Sequence, residues 1–204
     1  MKPVPAIEYP IHELFLKRWS PRAFSEKPIS SSDIHSLFEA ARWAPSCFNE
    51  QPWRFVYVQK GQGEYDRFLG CLVEQNQLWA KTAPMITVAC AKTTFDRNKK
   101  PNPYAWYDTG MAVMCFTLEA ISRGIFVHQM GGFLRDQIRT VANIPEGFDP
   151  VSMFVCGYMG DTTILPEPLA KQEKAPQERL DISYIVFTPA WETGNTGKQD
   201  NDDS

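Results

Sequence analysis

The feature that most constrains this chain is a long helical pattern over Trp106–Arg123. Between Asp108 and Glu119, only Thr109 and Thr117 interrupt a run of apolar or small residues. A helix that is apolar on every side has to be covered on every side. In a chain of 204 residues, we therefore expect this helix to be both the central core helix and part of a dimer interface.

Shorter helical and strand patterns alternate irregularly around the long helix, which predicts an α+β or α/β fold with one central sheet. The Ser30–Asp33 cluster is typical of a helix N-cap, and Pro45 requires that helix to end near Trp43. Gly124 suits the end of the long helix. Further helices are predicted over 10–17, 64–78 (with a possible break) and 133–142, and strands over 54–59, 84–91, 125–129 and 152–159.

The C-terminal part of the sequence differs in character from the rest. Prolines at 166, 168 and 176 predict an extended arm over 160–178. The apolar run Ile182–Phe187 predicts a strand at the end of this arm, which must dock on a sheet edge of its own subunit or of a partner. We expect one domain over residues 1–187 and a polar, acidic, frayed tail over 188–204.

Composition and charge exclude several classes of protein. The net charge of −3 provides no basic surface for nucleic acid. The polar N-terminus lacks the apolar core of a secretory signal, and no apolar run approaches the ~20 residues of a membrane span. Five isolated cysteines argue against a disulfide framework and against a structural zinc site. We expect a cytoplasmic protein with reduced thiols that binds neither membrane nor nucleic acid.

Two polar stretches carry the chemistry that the sequence offers. In Arg18-Trp19-Ser20-Pro21-Arg22, two guanidinium groups flank a hydroxyl just after a helix, a combination suited to phosphate binding. The second stretch, Ala44–Trp53, has the sequence APSCFNEQPW and joins a helix to a strand. Its prolines stiffen the loop, and its amide side chains suit the polar edge of a planar heterocycle.

Taken together, these stretches resemble the flavin-dependent nitroreductase superfamily. The N-terminal RxSxR is followed at a typical distance by APSxxNxQPWxF. The resemblance continues through Asp108-x-Gly110, through Gly124-Ile125 and the segment ending in Gly131-Gly132-Phe133, and through Pro176-x-x-Arg179. It covers about residues 10–187. It implies an α+β nitroreductase-like fold with a central mixed sheet flanked by helices and a C-terminal arm strand exchanged in a homodimer.

The resemblance also implies FMN bound at the subunit interface and a set of residues that hold it. Arg18, Trp19, Ser20 and Arg22 would form an N-terminal clamp. Arg18 and Arg179 would hold the phosphate, and Arg22 would lie near the N1–C2 edge of the ring. The phosphate carries a charge of about −2, so its desolvation requires paired cations.

The remaining ligands implied by the resemblance surround the ring. Pro45, Ser46, Cys47 and Asn49 would belong to a loop contributed by the second subunit. Asn76 would meet the pyrimidine edge. Backbone N–H groups of Met130, Gly131 and Gly132 would face N5 and O4, where glycine permits close approach. Cys47, Gln177 and Trp79 depart from the residues common in the family. The Cys47 thiol is a poorer hydrogen-bond donor than serine. Without cations at 177 and 79, charge compensation at the phosphate and ring would either be weaker or rest more on Arg22.

The activity implied by the resemblance is ping-pong hydride transfer from NADH or NADPH through FMN to a nitroaromatic, quinone or similar small acceptor. The cofactor carries this chemistry, so no protein nucleophile is needed. His128 is either a hydrogen-bonded strand residue or a proton source for the acceptor. Two alternatives stay open: another flavin reaction on the same fold (dehalogenation, flavin fragmentation or substrate dehydrogenation), and a non-catalytic flavin-binding interaction protein.

Overall fold

The computed structural model describes residues 2–191 and contains one four-stranded sheet. The strands, numbered in chain order, are β1 (Trp53–Gln59), β2 (Met85–Lys92), β3 (Phe126–Met130) and β4 (Phe148–Gly157). Their order across the sheet is β1-β2-β4-β3, and every neighbouring pair is antiparallel. The α+β fold with one central sheet flanked by helices is confirmed, and within the described chain this sheet is antiparallel throughout rather than mixed.

Seven α-helices accompany the sheet within residues 2–191. They are α1 (Glu13–Lys17), α2 (Ser31–Arg42), α3 (Tyr65–Leu69), α4 (Glu74–Ala80), α5 (Ala105–Ser122), α6 (Arg135–Val141) and α7 (Glu167–Lys174). None of them has both the length and the apolar character needed to cross a bilayer.

The central strands alternate between two apolar layers, as the two-residue period of a strand requires. On β2, Ile86 and Val88 belong to the layer formed with α3, α4 and α6, whereas Met85 and Ala89 belong to the layer formed with α2 and α5. Each face of the sheet is thus covered by helices, and α5 occupies the middle of one face.

Helix α5 confirms the expectation of a core helix and leaves one side uncovered. Ala112, Val113 and Phe116 are buried toward the sheet. The hydroxyls of Thr109 and Thr117 donate to carbonyls one turn earlier, which satisfies their polar atoms inside the apolar layer. The opposite side is exposed, with Tyr107 at 69% exposure and Met114 half-buried. An apolar helix with one open side still needs a covering surface.

Most local signals in the sequence are confirmed by the structure. Ser30 caps α2 by accepting the Asp33 N–H at 3.0 Å. Trp43 ends that helix. Gly124 follows α5 in the left-handed conformation (φ 71°) that glycine tolerates. The predicted break in the third helical segment is confirmed as the gap between α3 and α4.

Two predictions for the C-terminal part are wrong in the described chain. The extended arm contains α7, because Pro168 lies in its first turn, where the missing N–H of proline has no helical acceptor to lose. Ile182–Phe187 is not a strand: Asp181 accepts the Ser183 N–H at 2.9 Å and caps a short helical turn at Ile182–Tyr184. The apolar side chains of this segment are largely exposed, because no sheet edge of the same chain pairs with it. Residues 192–204 of the predicted tail lie outside the described residues.

Candidate functional site

The site begins with two arginines from distant parts of the sequence. Arg18 ends α1 and starts an extended segment, and Arg179 lies on the arm after α7. Burial lowers the pKa of Arg18, and the positive charge of Arg179 lowers it further. Neither guanidinium has a carboxylate partner in the described part of the chain. Arg179 is exposed, and its guanidinium donates to two neutral acceptors, the Gln177 side chain and the Glu178 carbonyl. Two like charges near each other without a carboxylate partner are typical of an anion-binding site.

Trp19, next to Arg18, provides a second sign of a missing ligand. Its side chain is buried, and its ring packs edge-on against Phe126 with 6.4 Å between centroids. The indole N–H has no acceptor among residues 2–191. Buried donors are almost always satisfied in native proteins, so this one calls for an acceptor from outside the described chain.

Arg22 is held by a carboxylate that the sequence did not single out. Glu173 on α7 is only 3% exposed. It accepts the Arg22 backbone N–H at 3.1 Å and lies 3.4 Å from the guanidinium. This contact fixes the arm to the RxSxR segment and engages the side chain that we expected at the ring edge of the flavin.

His128 on β3 joins the RxSxR segment to the sheet. Its Nδ1 lies 2.8 Å from the carbonyl of Pro21, and its ring stacks on Trp79 at 4.3 Å between centroids. Burial lowers the pKa of His128 to about 4, and the nearby charge of Arg22 acts in the same direction. The imidazole is therefore neutral near pH 7, and the geometry favours the hydrogen-bonded strand histidine over the proton source.

Asn76 and the glycine pair after β3 are brought together as the sequence predicted. The Asn76 amide donates to the carbonyl of Gly132 at 3.1 Å, and the Val73 N–H donates to the same carbonyl. No acceptor within the described chain takes the N–H groups of Gly131 and Gly132. Gly131 also faces open space. Two backbone donors are therefore available beside Asn76.

The loop over residues 45–51 is built separately and under strain. The Ser46 hydroxyl accepts the Gln51 N–H at 2.9 Å, and the buried Asp108 of α5 accepts the Cys47 N–H at 3.0 Å. Phe48 (φ 53°) adopts the left-handed conformation that aromatic residues rarely take, and Asn49 (φ 58°), a residue type that tolerates it, continues it. Strained backbone of this kind persists only where the surroundings fix it, and it is concentrated at functional sites.

The predicted ligands therefore form two groups within one chain. The first contains Arg18 to Arg22, Asn76, Met130 to Gly132 and Arg179, and the second is the loop over residues 45–51. The two groups extend from the two edge strands of the sheet, β1 and β3. These strands are three strand spacings, or about 14 Å, apart across the sheet, and Met130 is level with Val56 in the middle of β1 rather than with Trp53. No hydrogen bond joins the two groups in the described residues.

Sequence reasoning missed two anchors of this site. Asp108 offered a signal, because a carboxylate inside an apolar helix needs a buried partner. Glu173 offered no such signal, since it is one of three glutamates along the arm and the sequence does not distinguish it from Glu167 and Glu178. Residues 2–191 contain no cluster of three or more histidine, cysteine, aspartate or glutamate side chains able to hold a metal ion.

Comparison with known proteins agrees with the fold and the motifs. The chain matches the nitroreductase family model over residues 16–77 and 70–158. It belongs to the nitroreductase family. The crystal structure of an oxidoreductase containing FMN is 35% identical, with a TM-score of 0.88, over 92% of this chain and 96% of that one.

Two further proteins resemble the chain, one in fold and one in sequence. A nitroreductase family protein from Clostridium difficile 630 shares the fold, with 23% identity, a TM-score of 0.69, and coverage of 88% of this chain and 98% of that one. An uncharacterized 15.4 kDa protein in the ask 5′ region of Mycolicibacterium smegmatis is 32% identical over 124 residues, 60% of this chain and 82% of that protein.

His128 predicts a specific pH dependence of stability. Its pKa is about 4 when folded and 6.5 in the ordinary unfolded environment, so the unfolded chain binds more protons between these values. The free energy of unfolding should fall as the pH is lowered from 6.5 to 4, by up to roughly 3 kcal/mol from this residue. Urea unfolding at pH 7 and 4.5 measures the fall. It should be smaller in His128→Gln and unchanged in the exposed His35→Gln; equal falls in all three proteins would contradict the assignment.

Glu173 predicts a second stability effect. Glu173→Ala leaves the Arg22 N–H and guanidinium without their acceptor. Because Arg22 is 29% exposed and can reach water, we expect a loss of about 1–3 kcal/mol rather than the larger cost of a fully buried charge. Thermal unfolding tests this, with the exposed Glu178→Ala as the control. A melting temperature equal to that of the control would show that the ion pair does not hold the arm.

Proposed function

We propose that this member of the nitroreductase family is an FMN-dependent oxidoreductase. The observation that carries the proposal is the approach of Arg18 and Arg179 without an acidic partner in the described chain. A dianionic phosphate placed between them would offset their repulsion and the cost of burying Arg18. The related FMN-containing oxidoreductase, at 35% identity, supports FMN as the source of that phosphate.

The other features of the site fit the same group. The unpaired indole N–H of Trp19 would donate to the phosphate or to the polar chain that follows it. The free N–H groups of Gly131 and Gly132 would face the polar edge of the ring, with Asn76 beside them. Arg22 would supply positive charge where reduction places negative charge, while Glu173 holds it in position.

The second half of the site would come from a second copy of the chain. In one chain, the loop over residues 45–51 lies at the opposite sheet edge from the phosphate clamp. A homodimer packed through the open side of α5 would cover Tyr107 and bring that loop to the partner's clamp. The exposed apolar segment 182–187 would then dock on an apolar surface of the partner.

The proposed reaction uses the cofactor for its chemistry. When bound, FMN would take hydride from NADH or NADPH and pass it to a nitroaromatic, quinone or similar acceptor in a ping-pong cycle. The protein's own residues bind and orient: Arg18 and Arg179 hold the phosphate, and His128 stays neutral and fixes the Pro21 backbone. We propose one flavin-binding domain over residues 1–187 in the cytoplasm, where the five free cysteines would stay reduced.

Removal of Arg18 tests the phosphate site. Arg18→Ala should raise the Kd for FMN about 10- to 150-fold, the range for loss of a charged hydrogen bond of about 1.5–3 kcal/mol. Lys17→Ala, the adjacent exposed cation that pairs with Glu13, should leave the Kd unchanged. Flavin fluorescence quenching measures both values. A protein that takes up no FMN, or a Kd unaffected by Arg18→Ala, would contradict the proposal.

A charge on the exposed arm tests the dimer. Ile185→Asp should convert a wild-type dimer to monomer in sedimentation and release FMN, because the arm would no longer dock on an apolar surface. Ile164→Asp, a comparable change at an exposed position before α7, should remain dimeric. A monomeric wild-type protein that binds FMN fully would refute the shared site.

A further inference from the structure

The strained loop carries an aromatic ring and a cation whose role in the proposed reaction is not yet assigned. Phe48 is 65% exposed and lies between Cys47 and Asn49, two of the predicted flavin ligands. The Arg97 guanidinium lies 3.7 Å from the centroid of its ring. Phe95 packs edge-on against the same ring, 6.1 Å away.

The position of Arg97 is fixed by its backbone. The loop over residues 93–103 contacts the loop over residues 45–51. The Glu50 carboxylate accepts the backbone N–H of Arg97 at 3.2 Å and that of Asp96. The Glu50 side chain therefore ties the two loops together. It fixes the backbone of Arg97, and the Arg97 guanidinium packs on the face of the Phe48 ring.

The Arg97 guanidinium has no ion-pair partner in the described chain. The Glu50 carboxylate beside it keeps its negative charge but accepts backbone N–H groups, and Asp96 pairs with Lys92 and Lys99. The Arg97 side chain makes no ion pair or hydrogen bond within residues 2–191. A guanidinium stacked on a ring keeps its planar set of N–H donors free at the edge, in the arrangement that binds phosphate or carboxylate through two oxygens.

We propose that Arg97 and Phe48 select flavin-reactive substrates that carry an anionic group, a phosphate or a carboxylate, on a planar aromatic molecule. This inference rests on the proposed function, because it places these residues beside a flavin held partly by Cys47 and Asn49. Phe48 contacts the planar part of the substrate, and Arg97 binds its anion. The phosphate would be the 2′-phosphate of NADPH as hydride donor, and the carboxylate would come from an aromatic acceptor.

The test compares charged and neutral ligands on the FMN-loaded protein. Titration calorimetry measures the binding of 4-nitrobenzoate and of its neutral analogue 4-nitrobenzamide, and steady-state kinetics measure KM for NADPH and NADH. If Arg97 binds the carboxylate of an acceptor, Arg97→Gln should raise the Kd of 4-nitrobenzoate about tenfold or more and leave the Kd of 4-nitrobenzamide unchanged. If Arg97 binds the 2′-phosphate of NADPH, the variant should raise KM for NADPH relative to KM for NADH by a similar factor.

Two controls separate charge from loop structure. Arg97→Lys keeps the charge but loses the planar donors, so it should fall between wild type and Arg97→Gln. Arg67→Gln removes an exposed arginine from α3 and should change nothing. If Arg97→Gln binds FMN normally but shifts neither the nitrobenzoate-to-nitrobenzamide ratio nor the NADPH-to-NADH ratio, this inference is overturned and the proposed function stands. Failure of the wild-type protein to bind FMN overturns both.

Discussion

The repulsion between Arg18 and Arg179 is the constraint to which the rest of the candidate site responds. Both groups come from segments without regular structure, so other contacts must hold those segments together. Glu173 fixes α7 to Arg22, the Gln177 N–H donates to the carbonyl of Pro3, and the Lys2 ammonium donates to the carbonyl of Gln172. These contacts fix the arm to the N-terminal segments, and an anion bound by both Arg18 and Arg179 would offset the repulsion between the two cations.

The sheet explains why one chain holds only half of the proposed site. Its order places the start of β1 and the end of β3 at opposite edges, and α5 fills the space between on one face. The same helix leaves an apolar side exposed, where the proposed partner would pack. Helix α5 thereby connects the two halves of the proposed site. It anchors the loop over residues 45–51 through Asp108, and it provides the surface on which a second copy would pack to complete the site.

Local sequence signals predicted most of the fold and the composition of the first ligand group. Ser30, Trp43 and Gly124 mark helix ends through backbone chemistry that depends on a few neighbouring residues. The prediction for Ile182–Phe187 was wrong because an apolar β-branched pattern reports propensity, whereas a strand also needs an edge to pair with. The roles of Glu173 and Arg97 depend on contacts between segments distant in sequence or between adjoining loops, which no local pattern reveals.

The most direct test of this account compares FMN with riboflavin, which has the same ring and ribityl chain but no phosphate. Equilibrium binding to the same protein isolates the group that Arg18 and Arg179 are proposed to hold. If these two cations bind the phosphate, FMN should bind about 100-fold more tightly than riboflavin or better, as expected for loss of two charged hydrogen bonds. Equal affinities for the two flavins would show that the arginine pair serves another purpose and would contradict the central claim.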